Sequence, residues 1–474
     1  MQQVTLDRAR RAALGQFLTP PAIASRMAAC FTSFGDDVRL LDAGAGAGAL
    51  VEAAAAAAHG AGARRILATA YEIDPIVTPR LERTLAALAA TLPGFSGTVR
   101  RDFLAATEAG FTHAILNPPY RKLRADSEER RLLGAFGIET TNLYAAFVAL
   151  AIRRLAPGGE LVAITPRSFC NGPYFRSFRR LLLAETCLRS ITALESRTQF
   201  DDALQENVII HLVKGAPQGD VVVGARTMSF GAVVRPRDEE QFIHLVTDAE
   251  DDGLAAQLEA LPCTLDDLGL GVSTGKVVAF RAREWLRSEP EPGAGPLVHP
   301  THLAAGGVVW PRTGKKPNAL VDCADTAHLW MPPGTYVLVK RVTSKEEARR
   351  VVAAVHDAGV KTAFENHLDV FHARGCGIAP ALALGLRRYL DSTAIDRYFR
   401  QFNGHTQVNA TDLRRLRYPS RQTLAALGRH GGSSDEALRD AIGLTVSSRA
   451  SALPTGSSSG PAAEFYEFAK RTGG

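Results

Sequence analysis

A short apolar strand, a glycine turn and an alanine-rich helix follow one another early in the chain, and this succession restricts the fold. Residues 38–41 predict a buried strand, and the glycines that follow it in the segment 42–48 let the backbone turn tightly and approach a ligand. Residues 49–58 are rich in alanine and predict a helix that packs on a sheet. This order is typical of nucleotide sites at the carboxyl edge of a parallel sheet. We therefore predict an α/β fold with a doubly wound, Rossmann-like sheet.

Acidic residues stand at the ends of three predicted strands. Asp42 precedes the first glycine, where a carboxylate suits a cationic amino-acid group. Glu72 ends the strand predicted at residues 66–71, a place that typically holds ribose hydroxyls. Asp102 and Phe103 follow a third strand and could bracket an adenine ring, although Asp102 alone equally fits a helix cap. The glycine spacing is Gly-x-Gly-x-Gly, so a nicotinamide cofactor is less favoured.

The tetrapeptide Asn117-Pro118-Pro119-Tyr120 follows an apolar run at residues 113–116 that predicts another buried strand. Two prolines cannot continue a strand or helix, so the backbone is stiff there and its carbonyl groups are exposed. An Asn carbonyl beside a fixed backbone carbonyl can accept both hydrogens of a planar amino group. That geometry suits methyl transfer to a weak, conjugated nitrogen such as N6 of adenine. A polar turn after a strand is the alternative interpretation of the tetrapeptide alone.

Taken together, these motifs resemble the series found in S-adenosylmethionine-dependent amino methyltransferases that act on DNA. The segment at residues 14–21 resembles the N-terminal cofactor motif of that family, and its position before the glycine turn matches the gamma arrangement. The resemblance covers roughly residues 10–215, and it is specific because five motifs occur in order. It implies a gamma-class DNA N6-adenine methyltransferase of restriction-modification systems, with S-adenosylmethionine as cofactor, double-stranded DNA as substrate and no metal.

The resemblance also implies roles for individual residues. The catalytic set consists of the tetrapeptide and one aromatic residue that stacks on an extruded base: Asn117, Pro118, Pro119, Tyr120 and Phe200. For Phe200, ordinary core packing is the alternative interpretation. The cofactor-binding set comprises Phe17, Thr19, Pro20, Asp42, Ala43, Gly44, Gly46, Glu72, Ile73, Asp102, Phe103 and Asn117.

At 474 residues the chain is long for one domain and suggests two. We predict a catalytic domain at 1–215, a mixed α/β target-recognition domain at 220–446 and a flexible tail at 447–474, with residues 214–219 as the linker. Residues 403–419 resemble the C-terminal portion of restriction-modification methylases of the PstI/BsuBI type. Several basic residues of the second domain could reach phosphates and base edges: Arg281, Arg283, Arg312, Lys315, Lys316, Lys340 and Arg341. Taken singly, each is more often a solvated surface charge.

Bulk properties agree with a cytoplasmic protein. The net charge of +6 is mild and only permits nucleic-acid binding. The six cysteines are scattered without a Cys-x-x-Cys pair, so neither zinc nor a disulfide framework is indicated. No run of about 20 apolar residues predicts a membrane span. No nuclease motif is evident, so a separate cognate endonuclease is the more plausible partner.

Three other functions remain open at this stage. N4-cytosine methylation uses the same amino-group chemistry, although such sites more often have Ser in place of Asn117. Protein glutamine N-methyltransferases share a similar tetrapeptide, but they are shorter and lack a region like 220–474. A catalytically idle DNA-binding or partner subunit is the third possibility, and the intact cofactor motifs argue against it.

Overall fold

The computed structural model describes residues 18–194, 206–236, 238–304, 306–343, 347–403 and 407–444. Its helices are α1 (Pro21–Ala28), α2 (Ala49–Gly60), α3 (Thr78–Thr91), α4 (Glu128–Ala135), α5 (Leu143–Arg154), α6 (Arg176–Glu185), α7 (Phe230–Val233), α8 (Asp252–Glu259), α9 (Pro380–Leu390), α10 (Thr393–Phe402), α11 (Ala410–Arg415), α12 (Arg421–Arg429) and α13 (Ser434–Ile442). Among the residues described, no helix has the length and apolar character needed to cross a membrane.

The strands fall into an N-terminal and a C-terminal group. The N-terminal strands are β1 (Asp37–Ala43), β2 (Arg65–Tyr71), β3 (Phe95–Arg100), β4 (Phe111–Leu116), β5 (Leu155–Pro166), β6 (Thr186–Ala193), β7 (Asn207–Lys214), β8 (Val221–Val223) and β9 (Arg226–Met228). The C-terminal strands are β10 (Gly271–Thr274), β11 (Leu286–Arg287), β12 (Ala294–Val298), β13 (Leu303–Ala304), β14 (Gly307–Val308), β15 (Ala319–Val321), β16 (Trp330–Met331), β17 (Gly334–Lys340), β18 (Ala353–Ala358), β19 (Thr362–Phe364) and β20 (Leu368–His372).

The N-terminal strands form one nine-stranded sheet in the order β3-β2-β1-β4-β5-β7-β6-β8-β9. The five strands from β3 to β5 in that order are parallel, and β7 runs antiparallel to both of its neighbours. The strand order reverses between β1 and β4, and doubly wound sheets bind ligands beyond the carboxyl ends of the strands at such a switch point. The predicted α/β class with a doubly wound, Rossmann-like sheet is confirmed.

The two faces of this sheet pack against different helices. Val38 and Leu40 lie in a core with α1, α2 and α3, whereas Leu41 and Ala43 lie in a core with α5 and α6. This division arises because side chains along most of a strand alternate between the two faces. The alanines of α2 that face the sheet are small and fully buried, so the helix packs closely behind the glycine turn. The predicted strand and helix around that turn are therefore present.

Two segments differ from what local sequence patterns predict. A Pro-Gly-Gly segment such as residues 157–159 is typical of a helix end, but α5 already ends at Arg154 and β5 begins at the next residue. Residues 214–219 were expected to link two domains, but β8 pairs in parallel with β6 and so continues the first sheet. The sheet reaches Met228 because the edge of β6 offers unpaired backbone groups to the chain that follows. The division into 1–215 and 220–446 stays a prediction, and the tail 447–474 lies outside the described residues.

The chain from residue 229 to residue 444, here called the C-terminal half, contains the remaining sheets and helices. One sheet has the order β10-β20-β17-β18 and another the order β11-β15-β12-β19-β16. Helices α9 to α12 share a large apolar core with β10, β17 and β20. The mixed α/β character predicted for this part of the chain is therefore present.

Arg167 joins the C-terminal half to the nine-stranded sheet. It follows β5 directly, and its Nη2 donates to the carbonyl oxygens of Arg400 and Gln401, both at 2.7 Å. These carbonyls belong to the last turn of α10, where backbone acceptors lack partners within the helix. The Nη1 of Arg167 also donates to Glu206 at 2.9 Å. The guanidinium thus fixes a helix end, a strand end and the residue before β7 at one point.

Helices α9 and α12 cross at two glycines, and this contact gives a testable prediction. A Cβ atom at Gly385 would lie 1.7 Å from the carbonyl oxygen of Leu424, and one at Gly428 would lie 2.1 Å from that of Ala381. Because a backbone oxygen cannot rotate away, Gly385→Ala is expected to lower the free energy of unfolding by about 3 kcal/mol. Chemical denaturation measures this. Gly134→Ala in α4, where a Cβ would meet nothing within 4 Å, is the matched control, and equal losses in both variants would contradict the packing argument.

Candidate active site

The glycine turn after β1 lies directly against the Asn-Pro-Pro-Tyr segment after β4. The backbone N–H groups of Gly44 and Ala45 both donate to the carbonyl oxygen of Tyr71 at 2.9 Å. Gly44 has a φ of 86°, which side-chain-bearing residues rarely adopt. A Cβ atom there would lie 3.7 Å from the backbone oxygen of Asn117 and 3.7 Å from Pro119 Cδ. The topology therefore brings the glycine turn and the Asn-Pro-Pro-Tyr segment together.

Glu72 is fixed to the turn by its two carboxylate oxygens. Oε2 accepts from the N–H of Gly46 and Oε1 from the N–H of Asp74, both at 2.8 Å. Each carboxylate oxygen can accept a further hydrogen bond. Glu72 also lines the cavity described below, where a carboxylate can accept hydrogen bonds from the hydroxyl groups of a ligand.

Asp42 is fully buried beneath the turn and does not line the cavity. Neither carboxylate oxygen has a hydrogen-bond partner among the described residues. Burial raises the pKa of the Asp42 carboxyl well above its ordinary value, and the neighbouring charge of Glu72 raises it further. An uncompensated buried carboxylate costs free energy, and a nearby positive charge would offset that cost. The site is therefore suited to a ligand with a cationic group.

Asn117 connects the tetrapeptide to the segment before α1. Its side chain is largely buried, and Nδ2 donates to Thr19 Oγ1 at 3.0 Å. This contact leaves Oδ1 as the acceptor end of the amide. Pro20 starts α1, because its carbonyl oxygen accepts from the N–H groups of Ile23 and Ala24. Phe17, predicted to belong to the same motif, lies outside the described residues.

A cavity of about 460 Å³ opens at this edge of the sheet. Eight of the residues predicted to form the site line it: Gly44, Gly46, Glu72, Ile73, Asp102, Phe103, Asn117 and Pro119. Five described members of the predicted sets besides Asp42 do not line it: Thr19, Pro20, Ala43, Pro118 and Tyr120. Thr19 nevertheless contacts Asn117, and Ala43 and Pro118 adjoin lining residues in the chain.

An apolar wall of the cavity is formed by Ile73 and Phe103. Phe103 is buried, with Tyr71 at 5.2 Å and Phe147 at 5.1 Å between ring centroids. The guanidinium carbon of Arg154 lies 4.4 Å from the centre of the Phe103 ring, which holds this ring in place. Ile73 is 54% exposed, which is unusual for a large aliphatic side chain and leaves it free to contact a ligand. The wall suits a flat aromatic group.

Asp102 and Tyr120 make contacts that the sequence did not specify. Asp102 is exposed, and its Oδ1 accepts from the N–H of Leu104 at 2.9 Å, so it stabilises a local turn as well as lining the cavity. The hydroxyl group of Tyr120 donates to the carbonyl oxygen of Ile164 at 3.4 Å, and its ring lies edge-on to Tyr144. Burial raises the pKa of Tyr120. Tyr120 therefore lies along β5, beside the cavity. Phe200 lies outside the described residues.

Several lining residues were not predicted from the sequence. Three belong to α4, three belong to β2 or α5, and five lie in loops: Glu128, Glu129 and Leu132; Tyr71, Leu143 and Phe147; Leu18, Val77, Arg101, Leu104 and Arg121. Ser127 followed by two acidic residues is a helix-start signal, and Ser127 Oγ does accept from the N–H of Arg130. That signal could have located α4. It could not have placed the helix beside the cavity, where Arg121 and Glu129 form an ion pair at 3.0 Å.

The chain is similar to known proteins over most of its length. It is 45% identical over 454 residues to the type II methyltransferase M.PstI of Providencia stuartii, covering 89% of this chain and 90% of that protein. It is 42% identical over 451 residues to the type II methyltransferase M.BsuBI of Bacillus subtilis, covering 88% and 89% respectively. The family model of the Eco57I restriction-modification methylase matches residues 87–200. In fold it resembles the cryo-EM structure of a DrdV–DNA complex, with a TM-score of 0.50 at 12% identity, covering 89% of this chain and 57% of that one.

Proposed function

The chain belongs to the type II restriction-modification methyltransferases, and from that premise we propose that it transfers a methyl group from S-adenosylmethionine to N6 of adenine in duplex DNA. The observation that carries this proposal is the contact between the glycine turn and Asn117 at the switch point of the sheet. A donor site and an acceptor for an amino group lie side by side there. We assign target recognition to the C-terminal half, with a separate endonuclease as the cognate partner.

The residues around the cavity fit the cofactor. The buried carboxylate of Asp42 would offset the positive charge of its amino-acid group, and Glu72 would accept hydrogen bonds from the ribose hydroxyls. Ile73 and Phe103 would contact the adenine ring, and Gly44 and Gly46 would allow the backbone to approach the cofactor closely. When bound, S-adenosylmethionine supplies a methyl group on a sulfonium centre, which a weak nucleophile can attack.

Asn117 and Pro118 act on the nitrogen that is methylated. Asn117 Oδ1 and the backbone carbonyl oxygen of Pro118 accept the two N6 hydrogens of the adenine. These bonds draw the nitrogen towards tetrahedral geometry and free its lone pair for in-line attack. The N–H of the methylated nitrogen is strongly acidic, so no general base is required before attack. Catalysis then consists mainly of positioning and preorganised hydrogen bonding.

The adenine must leave the duplex for this chemistry. Its N6 is hydrogen-bonded within the stack, so the base is flipped into the site. Tyr120 and Phe200 sandwich the purine. The hydrogen bond from Asn117 Nδ2 to Thr19 supports the proposed role of Asn117, because it orients the amide with Oδ1 as its acceptor end.

Nucleoside analysis of DNA methylated by the purified protein tests the proposal. The protein is incubated with S-adenosylmethionine carrying a labelled methyl group and with unmodified genomic DNA, and the label is expected in N6-methyladenine. Label in N4-methylcytosine would show that the target base is cytosine and would refute adenine as the target. Label in protein glutamine, or cofactor binding by calorimetry without any transfer, would refute DNA methylation by this chain.

A further inference from the structure

Two segments of the C-terminal half combine basic side chains with a complete lack of acidic ones. Between Asp267 and Glu284 the chain has Lys276, Arg281 and Arg283 but no Asp or Glu. Between Glu291 and Asp322 the only charged residues other than histidines are again basic: Arg312, Lys315 and Lys316. A cluster of positive charges attracts a polyanion, and without such a partner the charges repel one another.

The first segment, residues 276–283, also exposes an aromatic ring. Phe280 is 73% exposed, and the guanidinium carbon of Arg281 lies 5.4 Å from the centre of its ring. Lys276, Arg281 and Arg283 are exposed and form no ion pair with any residue in the described ranges. A bare aromatic ring among uncompensated cations is the composition of surfaces that contact phosphates while inserting an apolar group against bases.

The second segment, residues 309–316, is held in shape by Asn318. The buried Asn318 side chain donates through Nδ2 to the carbonyl oxygens of Ser288 at 2.9 Å and Arg312 at 3.1 Å. Its Oδ1 accepts from the N–H of Arg312 at 3.0 Å and bonds to His302 Nε2 at 3.0 Å. The Trp310 indole N–H donates to the Asn318 carbonyl oxygen at 2.7 Å. One amide thus orders a loop that would otherwise lose conformational entropy on binding a partner.

The chain that follows the first segment pairs with the chain that follows the second. Strand β11 follows Trp285 directly and pairs with β15, which begins after Asn318. The Asn318 N–H also donates to the carbonyl oxygen of Arg287 at 3.0 Å. The loop braced by Asn318 therefore adjoins the chain that leaves residues 276–283.

Two other basic residues that the sequence suggested for DNA contact, Lys340 and Arg341, pair with acidic residues of the protein. Lys340 pairs with Glu347 at 2.9 Å, and Arg341 lies 3.7 Å from the buried Asp369 while donating to the Asn366 carbonyl oxygen. Their charges are compensated, so they offer less to a polyanion.

We infer that residues 276–283 and 309–316 form one DNA-contacting surface, in which Phe280 packs against bases, Arg281 and Lys315 bind phosphates, and Asn318 is the positioning residue. The inference rests on the proposed function. It deepens that function by naming the side chains of the C-terminal half that meet the duplex.

Salt-dependent binding of labelled, unmodified genomic DNA fragments tests the surface. Arg281→Ala and Lys315→Ala are each expected to weaken binding about tenfold and to reduce the slope of log affinity against log salt by about 1. Phe280→Ala should weaken binding with an unchanged slope, because an apolar contact releases no counterions. Arg83→Ala on α3, an exposed arginine that also lacks an ion pair within the described ranges, is the control and should bind like the wild type.

Wild-type affinity in all three surface variants would overturn the assignment while leaving methylation by the wild type intact. Failure of the wild type to bind or methylate DNA would instead count against the proposed function. Cofactor affinity should be unchanged in every variant.

The positioning role of Asn318 is tested by the sequences that become methylated. Asn318→Ala is expected to raise the KM for DNA at least tenfold, with a smaller change in kcat, and to broaden the set of methylated sequences. Asn318→Asp keeps the acceptor for the Arg312 N–H and should restore part of the affinity. An unchanged sequence preference and an unchanged KM in a folded Asn318→Ala protein would refute the role. If that variant does not fold, the three surface substitutions still decide the proposal.

Discussion

Replacing Asn117 by alanine is expected to reduce the rate of methyl transfer by about two to three orders of magnitude while changing cofactor affinity by no more than about twofold. The size of the loss follows from preorganised hydrogen bonding, in which removing one well-placed partner typically costs a factor of about a hundred to a thousand. Affinity is retained because the cofactor contacts assigned here come mainly from other residues. Single-turnover incorporation of labelled methyl groups measures the rate, and calorimetry measures the affinity.

Two further substitutions make this test specific. Asn117→Ser keeps an oxygen acceptor but loses the Nδ2 bond to Thr19, so intermediate activity is expected. Asn142→Ala is the matched control, because that side chain donates to Thr141 and forms no cap bond on α5. Near-normal turnover by the Asn117→Ala protein would refute the proposed role, and equal losses in the Asn142→Ala protein would indicate a general structural defect.

Replacing Asp42 by asparagine is expected to have opposite effects on ligand binding and on stability. Cofactor affinity should fall at least tenfold, because a negative charge close to the cationic ligand is lost. The cofactor-free protein should become more stable, with Tm rising by about 2–4 °C, because a buried carboxylate without a partner is removed. Calorimetry and thermal unfolding measure the two effects.

The stabilising effect of Asp42→Asn should depend on pH. Burial raises the pKa of Asp42 in the folded protein above its ordinary value of 3.8, so the folded state holds this proton more tightly than the unfolded state does. The wild type therefore loses stability relative to the variant as the pH rises above about 4, and the difference reaches its plateau above the raised pKa. Asp37→Asn is the control, because the Asp37 side chain at the start of the same strand is 69% exposed and its replacement removes no buried carboxylate. A Tm difference that is constant between pH 4 and pH 8 would contradict this account.

The strands and the site residues of the nine-stranded sheet could largely be predicted from the sequence, because local patterns determine them. Apolar runs at residues 38–41 and 113–116 mark strands, and the residues just after them meet at one sheet edge for topological reasons. Asp42, Glu72 and Asn117 could therefore be assigned to one place. The strand bounds were less predictable, since β4 begins at Phe111 and β5 includes a Pro-Gly-Gly segment that local propensity assigns to a helix end.

The features that could not be predicted depend on contacts between residues far apart in the chain. The three-residue strand β8 has too little periodicity to be assigned to the first sheet from sequence, and its pairing with the edge of β6 places it there. Arg121 and Phe147 line the cavity because of how α4 and α5 pack, which no short motif encodes. Asn318 looks like an ordinary loop residue until Ser288, His302 and Arg312 are brought around it.

The guanidinium of Arg167 has a consequence for how substrate reaches the cavity. Because it bonds the end of α10 to the end of β5, it holds the C-terminal half against the nine-stranded sheet before any nucleic acid arrives. A duplex gripped by the C-terminal half would then be presented in a single pose. To reach Asn117, one nucleotide would have to rotate out of the DNA helix. The polypeptide itself would need little hinge motion.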